Sequence, residues 1–352
     1  MPSVNEYRDP IDLPPGAEKA AVAVATDCSG MDAPLWALRS VLKVPAKEIR
    51  YEWASDIDRA AFETISQQRE RVHHPRRFFK DMTKRDHREL PHVDVYVCGY
   101  PCQPFSRVGT RRNYEDPRAA VFEHVMRTIA ASKPKVFVLE NVHTVVEYER
   151  IWEPFQEEMN KRVGKDYEVR VAVLNAKDFG VPQIRRRMYC LGVRREHIVA
   201  PVQVFPPPPR REVDVLAVAD KKLPQDAYLG SAETRAKIEK RIREVGGDPD
   251  KEPWIWSSDE SARFARATYA LSPTLLTGHS RYMWVSCLRR YLTPKEAALL
   301  QGFPRSFLPH PTPTRAYFQA GNSMSTGSVG SAMAAGLKMV GVLDARGRVA
   351  KR

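Results

Sequence analysis

Short unbroken apolar runs alternate with helix-length segments through the first two hundred residues of this chain, and few folds accept that rhythm. Residues 21–26 (AVAVAT) offer apolar side chains to both faces, as a strand covered on both sides requires. A turn at Asp27–Gly30 follows, then a predicted helix over Pro34–Leu42, with Pro34 tolerated in its first turn. Ile49–Ala54 reads as a strand and Asp58–Arg69 as a helix. Val93–Cys98 and Val136–Leu139 read as strands, with a helix over Pro117–Ala131 between them. Glu149–Val163 reads as a helix, and Tyr167–Leu174 and Arg187–Val193 as two further strands. Strands spaced by helices of this length build a doubly wound α/β sheet.

The rhythm stops near residue 199. PVQVFPPPPRR (201–211) is a proline-rich connector that cannot be a central strand. Residues 212–287 mix charged helical pieces with Trp254, Trp256, Tyr269, Tyr282 and Trp284, and the tryptophans there are expected in a core. A helical pattern returns over Thr293–Gln301, prolines crowd 304–313, and a helix of small residues is expected over Thr326–Val342. The expected organisation is an α/β domain over 1–198, a smaller domain over 199–290, and a segment, 291–352, that returns to the first domain.

A chain of this length can bury roughly three quarters of its unfolded surface. No apolar run approaches the roughly 20 residues of a membrane span. The first twenty residues carry acids and prolines where a secretory signal needs a basic start and an apolar core, so an intracellular protein is expected. Five cysteines form no CxxC pair and no ligand set with zinc spacing, which argues for free thiols and against a metal site. The net charge of +13 suits a polyanionic partner, although a merely basic enzyme would show it too.

Three segments carry chemistry-bearing residues. GYPCQPFS (99–106) directly follows an apolar strand, which puts Cys102 where open α/β sheets keep their reactive groups, and Pro101 and Pro104 stiffen the loop. VFVLENV (136–142) is a second strand ending in an acid, Glu140, then Asn141, whose carboxylate should share that sheet edge. QIRRRMYCLG (183–192) brings Arg185 and Arg187, expected to alternate onto one face of an incoming strand. Each alone has a plain reading: a structural cysteine, a helix cap, a solvated basic face.

Together and in this order they resemble the cytosine-5 methyltransferase family. The resemblance also takes in DCSGMDAP (27–34), Asp56-Ile57, Asp81-Met82, YLTPKEAALLQGFP (291–304) and HPTPTRAYFQAGNSMS (310–325). It implies a Rossmann-like S-adenosylmethionine-dependent methyltransferase sheet, with a smaller inserted target-recognition domain over 199–290. It also implies methyl transfer from S-adenosyl-L-methionine, leaving S-adenosyl-L-homocysteine, to carbon 5 of cytosine in double-stranded DNA. The enzyme would work as a monomer, without metal or membrane, beside DNA in a bacterial cytoplasm or a eukaryotic nucleus.

By the same resemblance Cys102 is the nucleophile. A thiolate suits that task because carbon 5 of cytosine reacts only after covalent addition at carbon 6. Glu140 would hold N3 and the exocyclic amine, Arg185 would sit near the base and thiolate, and Arg187 would support the loop and base. Cys28, Ser29, Gly30, Asp56, Ile57, Asp81, Met82, Pro101, Asn322 and Ser323 would hold the cofactor, with Asp56 on the ribose and Asp81 on the adenine amine. Asp32 and Ala33 stand where relatives often have further glycines. Ser106, Arg107, Arg111 and Arg112 lie in the loop that closes over DNA, and the base would be flipped into the pocket.

Other readings are weaker. A dinucleotide-dependent oxidoreductase would need G-x-G-x-x-G after the first strand, and it is missing. A tRNA methyltransferase of the same family would carry Cys-Phe-Thr, which does not occur. A catalytically silent member would not be expected to keep Cys102, Glu140, Arg185 and Arg187.

Overall fold

A computed structural model describes residues 5–7, 22–68, 74–101, 117–201, 205, 213–259 and 266–350, without the side chains of 117–120. The chain forms two compact units. The first holds Met1–Leu174, Arg186–Pro207 and Ser328–Arg352, and the second holds Asn175–Arg185 and Pro208–Gly327. These bounds differ from the sequence-based segmentation: residues 291–327 cluster with the second unit, and the return to the first comes at Ser328.

The first unit is an α/β layer structure around a seven-stranded sheet. Its strands are β1 (Val22–Asp27), β2 (Ile49–Ser55), β3 (Arg77–Phe79), β4 (Val95–Cys98), β5 (Val136–Val142), β6 (Tyr167–Asn175) and β7 (Arg186–Arg194). The spatial order is β3-β2-β1-β4-β5-β7-β6, so the winding reverses beside β1, as in doubly wound sheets. The first five strands run parallel to their neighbours, and β7 is antiparallel to β5. Every residue of β1 is buried, as its two-sided apolar pattern demands. Opposite Phe137 on β5 stands Gly192 on β7, where a Cβ would sit 2.1 Å from the phenyl ring. The missing side chain leaves room for that ring in the core.

Between the strands run α1 (Ala33–Trp36), α2 (Arg59–Ser66), α3 (Pro117–Ser132), α4 (Thr144–Glu147) and α5 (Glu149–Val163). The helix expected over Pro34–Leu42 is a short α1 that widens into a π-turn over Ala37–Val41, where the Leu42 amide reaches back to the Ala37 carbonyl.

The second unit carries a four-stranded antiparallel sheet, ordered β11-β10-β8-β9. These strands are β8 (Trp254–Ser257), β9 (Thr268–Tyr269), β10 (Met283–Val285) and β11 (Arg290–Tyr291). Trp256 and Trp284 face each other across β8 and β10 and are fully buried. Ile238 and Ile242 of α6 (Ala232–Glu244) cover them, and the Trp256 indole donates to the Tyr228 hydroxyl at 3.0 Å. These tryptophans are core, as expected. Further on, α7 (Pro294–Leu300) opens with a capping box between Thr293 and Glu296, and Glu296 also takes a buried bidentate pair from Arg290. The remaining helices are α8 (Pro313–Asn322) and α9 (Thr326–Met339), the latter passing into the first unit at Ser328.

Candidate active site

Because β1 to β5 are parallel, their carboxyl ends open on one edge of the sheet, where several of the predicted residues among those described lie. The turn Cys28–Gly30 follows β1, Asp56 follows β2, Asp81 lies two residues past β3, and Tyr100–Pro101 follow β4. Gly30 has φ +52° and open space where a Cβ would stand. Its amide donates to Asp56 Oδ2 at 2.8 Å, and the Asp58 amide donates to Oδ1 at 2.8 Å. Burial raises the pKa of Asp56, and those two amide bonds offset only part of the effect. Ile57 beside it is 84% exposed, an apolar face with nothing packed over it, whereas Met82 sits in the core.

Other predicted residues are used inside the fold. The Ser29 hydroxyl lies 2.7 Å from the Thr26 hydroxyl and bonds the Ser55 amide and carbonyl, tying β1 to β2. Asp81 caps a short 3-10 turn, its Oδ1 accepting from the Thr83 amide (2.9 Å) and hydroxyl (2.7 Å). Burial works against the Asp81 carboxylate, yet the Thr83 bonds and Lys84 hold its pKa below the usual value.

Sequence reasoning missed the group around Asp27, just before the Cys28–Gly30 turn. The Asp27 carboxylate, buried at the end of β1, takes a bidentate pair from Arg85 at 2.7 and 2.5 Å and the Tyr96 hydroxyl at 2.8 Å. Arg85 also donates to the Thr128 hydroxyl of α3 at 2.7 Å. Its guanidinium lies over the Trp53 and Phe79 rings. Every charge here is paired and bonded, the condition under which a buried ion pair is tolerable. No periodicity marks Arg85, which stands between two short turns.

Glu140 is buried within β5. In the antiparallel register Glu140 pairs with Tyr189 and Val142 with Arg187, so Glu140 and Arg187 are diagonal neighbours on one face. Arg187 Nε lies 3.4 Å from Glu140 Oε1. Asn141 is buried, and its Nδ2 reaches the Tyr100 carbonyl at 3.4 Å, which links β5 to the loop two residues before Cys102. Cys102, Ser106, Arg107, Arg111 and Arg112 lie outside the described residues.

Arg185 does not share a strand face with Arg187, contrary to the expectation. The strand begins at Arg186, and the Arg185 amide bonds Asn175 Oδ1 while its carbonyl accepts from the Ala176 amide. The Arg185 guanidinium is buried in the second unit, where it donates to the carbonyls of Leu275 (3.0 Å), Gly321 (3.1 Å) and Ser323 (2.7 Å). One arginine thereby braces the turn that ends α8. Within that turn Asn322 is exposed, and Ser323 is buried with its hydroxyl on the Met324 carbonyl. Among the described residues, no group of three or more His, Cys, Asp or Glu could hold a metal ion, and no helix is long and apolar enough to cross a membrane.

The profile of the family described as C-5 cytosine-specific DNA methylase matches residues 40–335. Type II methyltransferase M1.ScrFI of Lactococcus lactis subsp. cremoris is 30% identical over 293 residues, covering 80% of this chain and 71% of that protein. Type II methyltransferase M.NlaX of Neisseria lactamica is 31% identical over 284 residues, covering 79% of this chain and 85% of that protein. The crystal structure of the S. pombe Dnmt2 methyltransferase superposes with a TM-score of 0.64 at 17% identity, covering 90% of this chain and 98% of that one. That last likeness is one of fold.

Proposed function

The chain belongs to the C-5 cytosine-specific DNA methylase family, and from that premise we propose that it methylates cytosine through a covalent adduct on Cys102. It is a DNA cytosine-5-methyltransferase whose methyl donor is S-adenosyl-L-methionine. The observation that carries the mechanistic reading is the Glu140–Arg187 pair, its carboxylate buried near the carboxyl end of β5 and the adjacent Asn141 bonded to Tyr100 after β4.

The Cys102 thiolate adds to carbon 6 of the flipped base, and Glu140 holds N3 and the exocyclic amine so that the charge pushed into the ring is stabilised. Arg187 keeps that carboxylate oriented. Carbon 5, now electron-rich, takes the methyl group, its proton leaves, and the thiol is eliminated as the ring double bond re-forms. Gly30, Asp56, Ile57 and Asp81 fit the cofactor: a glycine turn with room beside it, two acids for ribose and amine, and an open apolar face. When bound, S-adenosyl-L-methionine supplies an electrophilic methyl on a sulfonium. Arg185 acts at one remove, by bracing the Gly321–Ser323 turn. Double-stranded DNA is the proposed substrate, read by the unit that contains 208–327, with one copy of the enzyme per event.

Duplex DNA bearing 5-fluorocytosine tests this directly. Fluorine cannot leave as the proton does, so the wild type should form a denaturation-resistant adduct when cofactor is present. Cys102→Ser should form none while still binding S-adenosyl-L-homocysteine. An adduct that persists in Cys102→Ser would refute the assignment.

A further inference from the structure

Residues 5–7 dock on the outer edge of the sheet, beside β3. The Tyr7 amide donates to the Phe78 carbonyl at 3.0 Å and the Lys80 amide to the Asn5 carbonyl at 2.7 Å, with Glu6 bridged antiparallel to Phe79. The three residues thus act as a short added strand. Their side chains reach further. The Tyr7 ring stacks on Phe62 of α2, with centroids 4.2 Å apart and planes 12° apart, and meets Phe78 edge-on. Asn5 grips the backbone of Asp81 twice: its Nδ2 donates to the Asp81 carbonyl at 2.7 Å, and its Oδ1 accepts from the Asp81 amide at 3.1 Å.

We infer that Asn5 is a positioning residue for the adenine end of the cofactor, acting by fixing the backbone of Asp81. This rests on the reading of Asp81 as the acceptor of the adenine amine. Asp81 leaves β3 after a single residue, and its Oδ1 is committed to Thr83. The oxygen that can change partner is Oδ2, which faces the exposed Lys84 ammonium at 3.3 Å. Where Oδ2 points depends on the Asp81 backbone, whose side-chain bonds come from Asn5, with the Lys84 amide also donating to the Asp81 carbonyl at 3.2 Å. A complementary amide grip on both the N–H and the C=O of one residue resists its rotation in either direction, which a single hydrogen bond does not. Tyr7 seats the same segment against α2, the helix that follows Asp56, so residues 5–7 brace both acids of the nucleoside site. They lie outside residues 40–335, the stretch that matches the family profile.

The test compares binding of S-adenosyl-L-homocysteine with S-inosyl-L-homocysteine, in which a carbonyl replaces the amine, by calorimetry on the full chain. The wild type should prefer the adenosyl compound by about tenfold, the worth of a hydrogen bond to a charged group. Asp81→Ala should abolish the preference. Asn5→Ala should cut it several-fold, raise KM for S-adenosyl-L-methionine, and leave kcat at saturation unchanged. Asn5→Asp, which can still accept from the Asp81 amide, should fall between. A loosened but otherwise passive segment would weaken both ligands equally and leave their ratio intact. If Asp81→Ala keeps the preference, the adenine reading of Asp81 fails, and the role of Asn5 with it. If Asp81→Ala loses it while Asn5→Ala and Asn5→Asp retain the wild-type ratio, the inference about Asn5 alone is overturned.

Discussion

Asp32 follows the Cys28–Gly30 turn with a left-handed backbone (φ +62°), a conformation that Asp and Asn tolerate better than most residues. Its carboxylate is buried without a well-formed hydrogen bond. Burial pushes its pKa up to about 7, with the Tyr51 hydroxyl, the Leu35 amide and the Thr26 hydroxyl only partly offsetting the cost. A raised carboxylate pKa means that the folded state binds the proton more tightly than the unfolded one. Stability therefore falls as pH rises from about 4 to about 7 and levels off above, by about 4 kcal/mol at most. Asp32→Asn, neutral throughout, should lose this component, so its advantage over wild type in urea melts should grow across that window. A constant difference from pH 4 to pH 8 would show that the carboxylate titrates normally. The positions of Cys28–Gly30 and Asp56 were legible because each follows a strand. What the predicted side chains touch was not: Ser29 and Met82 turn inward, Ile57 turns out, and Arg185 serves three carbonyls. Such choices depend on partners distant in the chain, which local spacing does not encode.

The long elements followed their periodicity closely, and α5 spans Glu149–Val163 as expected. The ones missed are those with little periodic signal. β3 is three residues long, too short to show an alternation. α8 begins at Pro313, the last proline of the stretch 304–313, after Thr312 at its N-cap. α9 was expected from its small residues, and packing explains them. A Cβ on Gly336 would meet Val136 of β5 at 2.5 Å, and one on Gly330 would meet Val41 and Ala37 at 3.2 and 3.3 Å. Alanine gains about 1 kcal/mol of helix propensity over glycine, while forcing a methyl into a full core costs about 1–3 kcal/mol. Gly336→Ala should therefore destabilise the protein, and Gly330→Ala should be near neutral. Denaturant midpoints at unchanged m-value measure both. Equal shifts would mean that α9 does not pack on β5 as closely as described.

At the scale of the molecule, the +13 charge gains a purpose from the DNA substrate. Log affinity for duplex DNA should fall linearly with log salt, by about 0.9 per phosphate neutralised. Arg111→Ala and Arg112→Ala should each flatten that slope by up to about one unit and leave the methylated sequence unchanged, since phosphate contacts position and base contacts specify. Substitutions within 212–287 should do the reverse. Salt titrations paired with sequencing of the methylated products separate the two. Loop variants that kept the slope but changed the target would reverse the roles assigned to the loop and to the smaller domain.

The longer strands and helices of the first unit and its α/β class were set by the sequence, since each depends on neighbours within a few residues. Only the tertiary structure decided that β7 enters antiparallel beside β5, which brings Arg187 against Glu140. The same holds for the buried Asp27–Arg85 pair, 58 residues apart in the chain, and for the grip of Asn5 on Asp81 across 76. These contacts form between groups that share no local pattern, and they become favourable only when the sheet has excluded water from around them.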